Sequence, residues 1–219
     1  MNAFVGGLCM KRTLLKSRYI KDFAVILRKN IKFFSLLFLF IGSVAAGVLL
    51  IRGLPAELTE RISSLVRPFL LRRTSQSFFH TFWYSLLSCL PFVIAAFFLG
   101  FSSIGSPFLA AIPVVNGLGI GIVAGYLYSF EALKGVIYCV LMILPSSAIS
   151  TLALLLMCRE SIHLSMCFAK LLFPAQKQQD IHGELKAFLK RYTFFFAIIL
   201  LSALVDAVLS SGFSKFFIF

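Results

Sequence analysis

The longest uncharged stretch of the chain constrains its fold more than any other feature. No Lys, Arg, Asp or Glu occurs between Thr74 and Phe130, and the stretch is rich in Phe, Leu, Ile and Gly. About 20 apolar residues in a helix cross a hydrocarbon core of about 30 Å, so this stretch is long enough to cross a bilayer twice. A soluble domain would not bury it as one helix or one strand. We therefore expect a protein whose main solvent is lipid.

The composition of the whole chain agrees with this expectation. The 219 residues are 60% hydrophobic and only 13% charged, with a mean hydropathy of +0.97. A soluble fold of this size could not hide so much apolar surface. We predict an all-α, polytopic helical membrane protein with about five transmembrane helices and additional interfacial amphipathic helices. The predicted spans are about 33–51, 82–101, 104–128, 135–157 and 192–214, within a single membrane domain, 33–214.

The basic residues set the predicted orientation. The net charge is +13, and the leader at 1–32 holds a dense cluster of Lys and Arg. Positive residues favour the cytoplasmic side of a membrane, so we predict a cytoplasmic N-terminus and an uncleaved first helix. Segment 52–78 then lies outside and segment 158–191 inside. Nucleic acid is not an expected partner, because no basic face on a soluble module is visible.

Both connecting segments contain apolar residues at helical spacing. In the outer segment these residues predict a short amphipathic helix that lies on the membrane, docks on a partner or packs on its own bundle. In the inner segment, the stripe from Ile181 to Leu189 predicts an interfacial helix that leads into the last span. Residues 161–173 are compatible with a re-entrant or half-buried piece. The outer stripe consists of Leu58, Ile62, Leu65 and Phe69.

The third span contains a regular series of glycines. Gly117, Gly121 and Gly125 recur every fourth residue and so share one helix face, with Asn116 beside them. Small residues at this spacing let two helix backbones approach closely in lipid. We expect this face to be a contact seam. Its partner is another helix of the chain, a second copy in a homo-oligomer or another protein, and a substrate path along the glycines is a further alternative.

Asp206 is the one acidic residue well inside a predicted span. A charge at the bilayer centre costs about 2.5–3.5 kcal/mol on insertion scales, so such residues usually face protein or water. The simplest interpretation places Asp206 near the outer interface with a hydrogen-bond partner. Coupling to protons or ions is the functional alternative.

The sequence contains no recognisable catalytic or metal-binding motif. It has no G-x-S-x-G, H-E-x-x-H or G-x-x-x-x-G-K-[ST] pattern, and its five cysteines form no C-x-x-C pair. We therefore expect a protein that is not an enzyme and that binds neither a cofactor nor a metal.

The centre of the chain resembles the stage II sporulation protein M family. The resemblance covers roughly residues 78–157, from a Phe-rich segment to a span with Pro145 in its middle. It includes a turn of the form LG-x-S-x-x-G-x-P, followed by the glycine series. The turn residues are Leu99, Gly100, Ser102, Gly105 and Pro107.

The resemblance implies a non-enzymatic, multi-pass scaffold in a bacterial cell membrane, where membrane lipid surrounds it. The family member that names the group positions two cell-wall hydrolases, stage II sporulation proteins D and P, during endospore engulfment. If this chain acts similarly, the outer segment is a candidate contact for these partners through Arg61, Arg67, Arg72 and Arg73. The alternative is a small transport component, a permease or exporter subunit, in which Asp206 and the prolines within the spans would serve moving helices.

Overall fold

A computed structural model describes residues 30–53, 77–171 and 181–213, together with residues 55, 58, 61, 62 and 64. The described residues form five long helices, each with a segment long and apolar enough to cross a membrane. This confirms the predicted all-α, polytopic fold. A five-residue π-helix, Cys139–Ile143, joins the third helix to the fourth. The helices are α1 (Ile31–Gly53), α2 (Phe78–Phe101), α3 (Gly105–Tyr138), α4 (Leu144–Leu171) and α5 (Ile181–Phe213).

The chain divides into two units, residues 1–35 and 36–219. The first unit is described only from residue 30, so the basic leader lies almost entirely outside the described residues. In the second unit, α3, α4 and α5 all extend beyond their predicted spans, and α3 continues to Tyr138 instead of ending near residue 128. Helix α4 continues to Leu171, so residues 161–171 are helical and do not form a re-entrant piece. Helix α5 starts at Ile181, so the interfacial stripe and the last span are one continuous helix.

The chain folds back on itself between Asn116 of α3 and Thr151 of α4. The Nδ2 atom of Asn116 lies 3.5 Å from Oγ1 of Thr151, 35 residues further along the chain. A straight helix would separate these residues by about 50 Å, so the backbone must reverse between them. Beside this reversal, Tyr126, Leu127, Tyr138, Met142 and Ile143 form a buried apolar cluster.

The turn between α2 and α3 is tight. The backbone N–H of Ser102 donates to the carbonyl of Leu99, and that of Gly105 donates to the carbonyl of Ser102. A Cβ atom at Gly105 would overlap the Leu99 carbonyl, which explains why glycine stands there. The Ser102 carbonyl also accepts a hydrogen bond of 2.7 Å from the Ser165 hydroxyl on α4.

Aromatic packing holds α2, α4 and α5 together near this turn. Phe97 and Phe101 of α2 contact Phe188 of α5, at ring-centroid distances of 6.1 and 6.0 Å. The Tyr192 hydroxyl donates to the carbonyl of Val93. Each ring buries a large apolar area and locks the neighbouring helix in position. This end of the bundle is therefore densely packed.

Candidate functional site

The glycines of α3 lie directly against α1. A Cβ atom at Gly117 would overlap the Ser43 hydroxyl, and one at Gly121 would overlap the Val44 carbonyl. At Gly125 it would lie 3.1 Å from the Cα atom of Val48. We call this contact the glycine seam; it consists of Gly117, Gly121 and Gly125 of α3 against residues 40–51 of α1. The structure thus gives the series a partner within its own chain.

The small residues of α1 that contact the glycines of α3 were not predicted from the sequence. Gly47 faces α3 so closely that a Cβ atom would lie 2.8 Å from the Leu118 carbonyl oxygen and 3.0 Å from the Cα atom of Gly121. Ser43 is buried one turn earlier, and its hydroxyl donates to the Phe40 carbonyl at 2.7 Å. The signal was present, because Ser43 and Gly47 are themselves a small-xxx-small pair.

Asn116 lies on a different side of α3 from the seam. Successive helix residues are rotated by about 100°, so Asn116 points away from α1 when Gly117 faces it. It borders a cavity of about 350 Å³ between α2, α3, α4 and α5. We call this space the polar cavity, because many of its lining residues are polar. Those polar residues are Thr81, Tyr84, Ser85, Ser88, Asn116, Ser146, Ser147, Ser150, Ser202 and Asp206.

Asp206 lies at the buried side of the polar cavity. Its side chain is buried, and its Oδ1 atom accepts a hydrogen bond of 3.0 Å from the Ser146 hydroxyl. The Ser202 hydroxyl donates to the Ser146 carbonyl at 2.7 Å. These bonds connect α4 to α5 through two serines and the carboxyl group. Asp206 therefore has a hydrogen-bond partner, as the simplest interpretation of its position in the sequence predicts.

The polar cavity has an exposed side between α2 and α3. Tyr84 is 48% exposed and Val115 is 55% exposed, and Ser88 and Gly119 are exposed as well. All four line the cavity. Ser88, Val115 and Gly119 occupy the middle parts of two helices of membrane-spanning length. The cavity therefore opens sideways, at the level of the bilayer.

Two described residues of segment 52–78, which is predicted to lie outside, contact the bundle near the end of the glycine seam. The Arg52 guanidinium lies 4.9 Å from the centre of the Tyr128 ring, a distance typical of a cation–π contact. Ile62 packs against the buried apolar cluster beside the α3–α4 reversal. Arg61 is exposed. The other predicted contact residues, Arg67, Arg72 and Arg73, lie outside the described residues.

Among the described residues, no three His, Cys, Asp or Glu side chains come together as they would to hold a metal ion. The free cysteines Cys89, Cys139, Cys158 and Cys167 lie along α2, the π-helix and α4. Cys167 pairs loosely with His163, with Sγ and Nδ1 4.0 Å apart. The described part of the chain therefore offers hydroxyl, amide and carboxyl chemistry around one cavity.

Comparison with protein families gives a match over most of the chain. The model of the family described as Stage II sporulation protein M matches residues 35–211. The chain belongs to this family. The match extends well beyond the central motif, from α1 to the end of α5. No curated protein sequence and no solved structure matches the chain.

Membership in the stage II sporulation protein M family makes the chain a sporulation-related membrane protein. The geometry also explains the family-like turn. Gly100 packs against α4, where a Cβ atom would lie 3.1 Å from the Cβ atom of Ser161. Gly105 permits the close approach of the Leu99 carbonyl, and the Ser102 carbonyl bonds to α4. The motif therefore joins α2, α3 and α4 at one end of the bundle.

Proposed function

We propose that the protein is a non-enzymatic membrane scaffold that positions cell-wall-remodelling partners during endospore engulfment. The observation that carries the proposal is the glycine seam. It holds α1 against α3 by contact between backbones, which fixes the helix that leads into the outer segment. Such close backbone contact restricts the movement of α1 relative to α3. A rigid base suits a protein that holds others in place.

The base of the outer segment supports the same proposal. Arg52 stacks on Tyr128, and Ile62 packs on the cluster that contains Tyr126. Arg61 projects from this anchored region with its side chain exposed. The segment therefore has residues that pack on the bundle and an arginine whose side chain is accessible. Such an arrangement fits a contact with an extracytoplasmic protein, for which the family suggests stage II sporulation proteins D and P.

Site-specific photo-crosslinking in sporulating cells tests the scaffold directly. A photoreactive residue replaces Arg61 in the full chain, and the crosslinked products are probed for stage II sporulation proteins D and P. We expect a crosslink to at least one of them. The matched control places the same residue at Phe98, which is 68% exposed on α2. This position faces lipid in the scaffold arrangement and should give no crosslink to either hydrolase.

The absence of both crosslinks at position 61, in cells that make normal amounts of the protein, would contradict the scaffold. Equal crosslinking at positions 61 and 98 would contradict it as well, because contact would then be unspecific. A hydrolase crosslink at position 61 would also place the outer segment outside the cytoplasm.

A transport component is the second candidate, and the polar cavity is the observation that favours it. Four membrane helices contribute to a space with a buried carboxyl group on one side. Transport sites near the bilayer midplane often have this character. Uptake of a charged solute into proteoliposomes separates the two functions. If the protein is a scaffold, uptake should equal that of empty vesicles. If it is a transporter, uptake should exceed that level, and Asp206→Asn should abolish the excess.

A further inference from the structure

The hydrogen bonds among Ser146, Ser202 and Asp206 connect α4 to α5, but they use only part of the polar lining of the cavity. On the α2 wall, the Thr81 hydroxyl bonds back to the Ser77 carbonyl, and Ser85 and Ser88 also line the cavity. Polar side chains are costly inside a membrane, so they usually mark a pathway or a binding site. The cavity thus has the character of a site for a polar guest.

The lining indicates the charge of that guest. Asp206 supplies a carboxyl group at the buried side, and the described lining residues include no Lys, Arg or His. The Tyr84 and Phe92 rings also belong to the wall. Aromatic faces attract cations within about 6 Å of the ring centre. Carboxyl, hydroxyl and aromatic groups together favour a guest with one positive charge.

The dimensions of the cavity indicate an organic cation. A bare metal ion such as Ca²⁺ needs six to eight oxygen ligands at about 2.3–2.6 Å. The hydroxyls of this cavity extend along α2 from Thr81 to Ser88, a rise of about 10 Å, too far apart to form one such shell. The volume of about 350 Å³ instead falls in the range of roughly 300–1,000 Å³ typical of small-molecule sites.

A π-helix forms part of the same wall. Ile143 ends the π-helical segment, Ser146 follows within the first turn of α4, and both line the cavity. The Ser146 hydroxyl lies 3.3 Å from the Ile143 carbonyl and 3.0 Å from Oδ1 of Asp206. Short π-helical insertions are rare and frequently occur at functional sites. This local irregularity positions the serine that contacts the carboxyl group.

We propose that the polar cavity binds a small primary ammonium group, which enters between α2 and α3 and has Asp206 as its counter-charge. The group belongs either to a free amine or to the headgroup of an amine-bearing lipid, since the cavity opens towards the bilayer. The inference does not depend on the scaffold function, because binding requires no partner protein.

Calorimetry with ethanolamine as the probe tests the proposal on the full chain in phosphatidylglycerol nanodiscs. We expect saturable binding to the native protein. Hydrogen bonds to charged groups contribute enough that Asp206→Asn should weaken binding by about tenfold or more. Gly119→Leu should abolish it by filling the cavity. Gly42→Leu is the matched control; a Cβ atom at Gly42, as at Gly119, meets no atom within 4 Å, but Gly42 is on α1 away from the cavity.

A second arm distinguishes the two sources of the ammonium group. Nanodiscs that contain phosphatidylethanolamine should lower ethanolamine binding, and native mass spectrometry should show one retained phosphatidylethanolamine, if the headgroup is the guest. Equal ethanolamine binding in both lipids assigns the site to a free amine. The proposal is overturned if the native protein neither binds ethanolamine nor retains phosphatidylethanolamine, or if Gly119→Leu binds the guest as the native protein does. If Asp206→Asn does not fold, the binding measured for Gly119→Leu still tests the proposal.

Discussion

Two sides of the same helix, α3, differ sharply in how they are used. Towards α1, Gly121 leaves no room for a single added carbon, because a Cβ atom would overlap the Val44 carbonyl. Two residues earlier, a Cβ atom at Gly119 would meet no atom within 4 Å. Glycine thus allows close contact on one side and borders the polar cavity on the other. The role of a glycine in a membrane helix therefore depends on the surface that faces it.

Enlarging Gly121 and Gly119 to the same side chain should affect the two sides of α3 very differently. Gly121→Val should lower the free energy of unfolding by about 3 kcal/mol, since overpacking against backbone atoms is relieved only by moving a helix. Unfolding of the detergent-solubilised protein, followed by circular dichroism, measures the effect. Gly119→Val is the matched control, with the same change of residue type two positions away. Equal losses for the two variants would show that α1 does not cover the seam.

A smaller effect sharpens the description of the cavity side. Ser202→Ala removes the buried hydrogen bond to the Ser146 carbonyl, so the free energy of unfolding should fall by about 0.6–1 kcal/mol. Ser211→Ala is its control on the same helix, because the exposed Ser211 hydroxyl bonds only to the Val208 carbonyl within α5. The same denaturation assay measures both. A loss for Ser211→Ala as large as that for Ser202→Ala would contradict the α4–α5 connection.

The smallest expected effect has the opposite sign. Gly119→Ala should stabilise the protein by about 0.4–1 kcal/mol, since alanine restricts the unfolded chain at a position where the helix has room for a methyl group. Gly42→Ala on α1 should give a similar gain for the same reason. Thermal midpoints of the two variants and the native protein are sufficient to detect it. If Gly119→Ala lowered the thermal midpoint while Gly42→Ala raised it, the side of α3 that borders the polar cavity would have no room for a methyl group.

The sequence alone specified the parts of the fold that depend on local composition. Apolar runs of membrane length predicted five helices, and the structure confirms them. The spacing of Gly117, Gly121 and Gly125 placed them on one face of α3. The position of Asp206 within a span predicted a side chain that faces protein or water and has a hydrogen-bond partner, and the structure buries it beside Ser146. Each of these inferences needs only helical periodicity and the energetics of transfer into lipid.

The tertiary structure decided which surfaces meet. Only the folded chain shows that Gly47 of α1 faces Gly121, that Asn116 borders a cavity instead of the seam, and that Ser146 contacts Asp206 from 60 residues away. In water, an apolar stripe tells which face of a helix turns inward. In lipid, apolar residues are stable on every side of a helix. Which helices pack together therefore depends on their shape and on hydrogen bonds between distant segments.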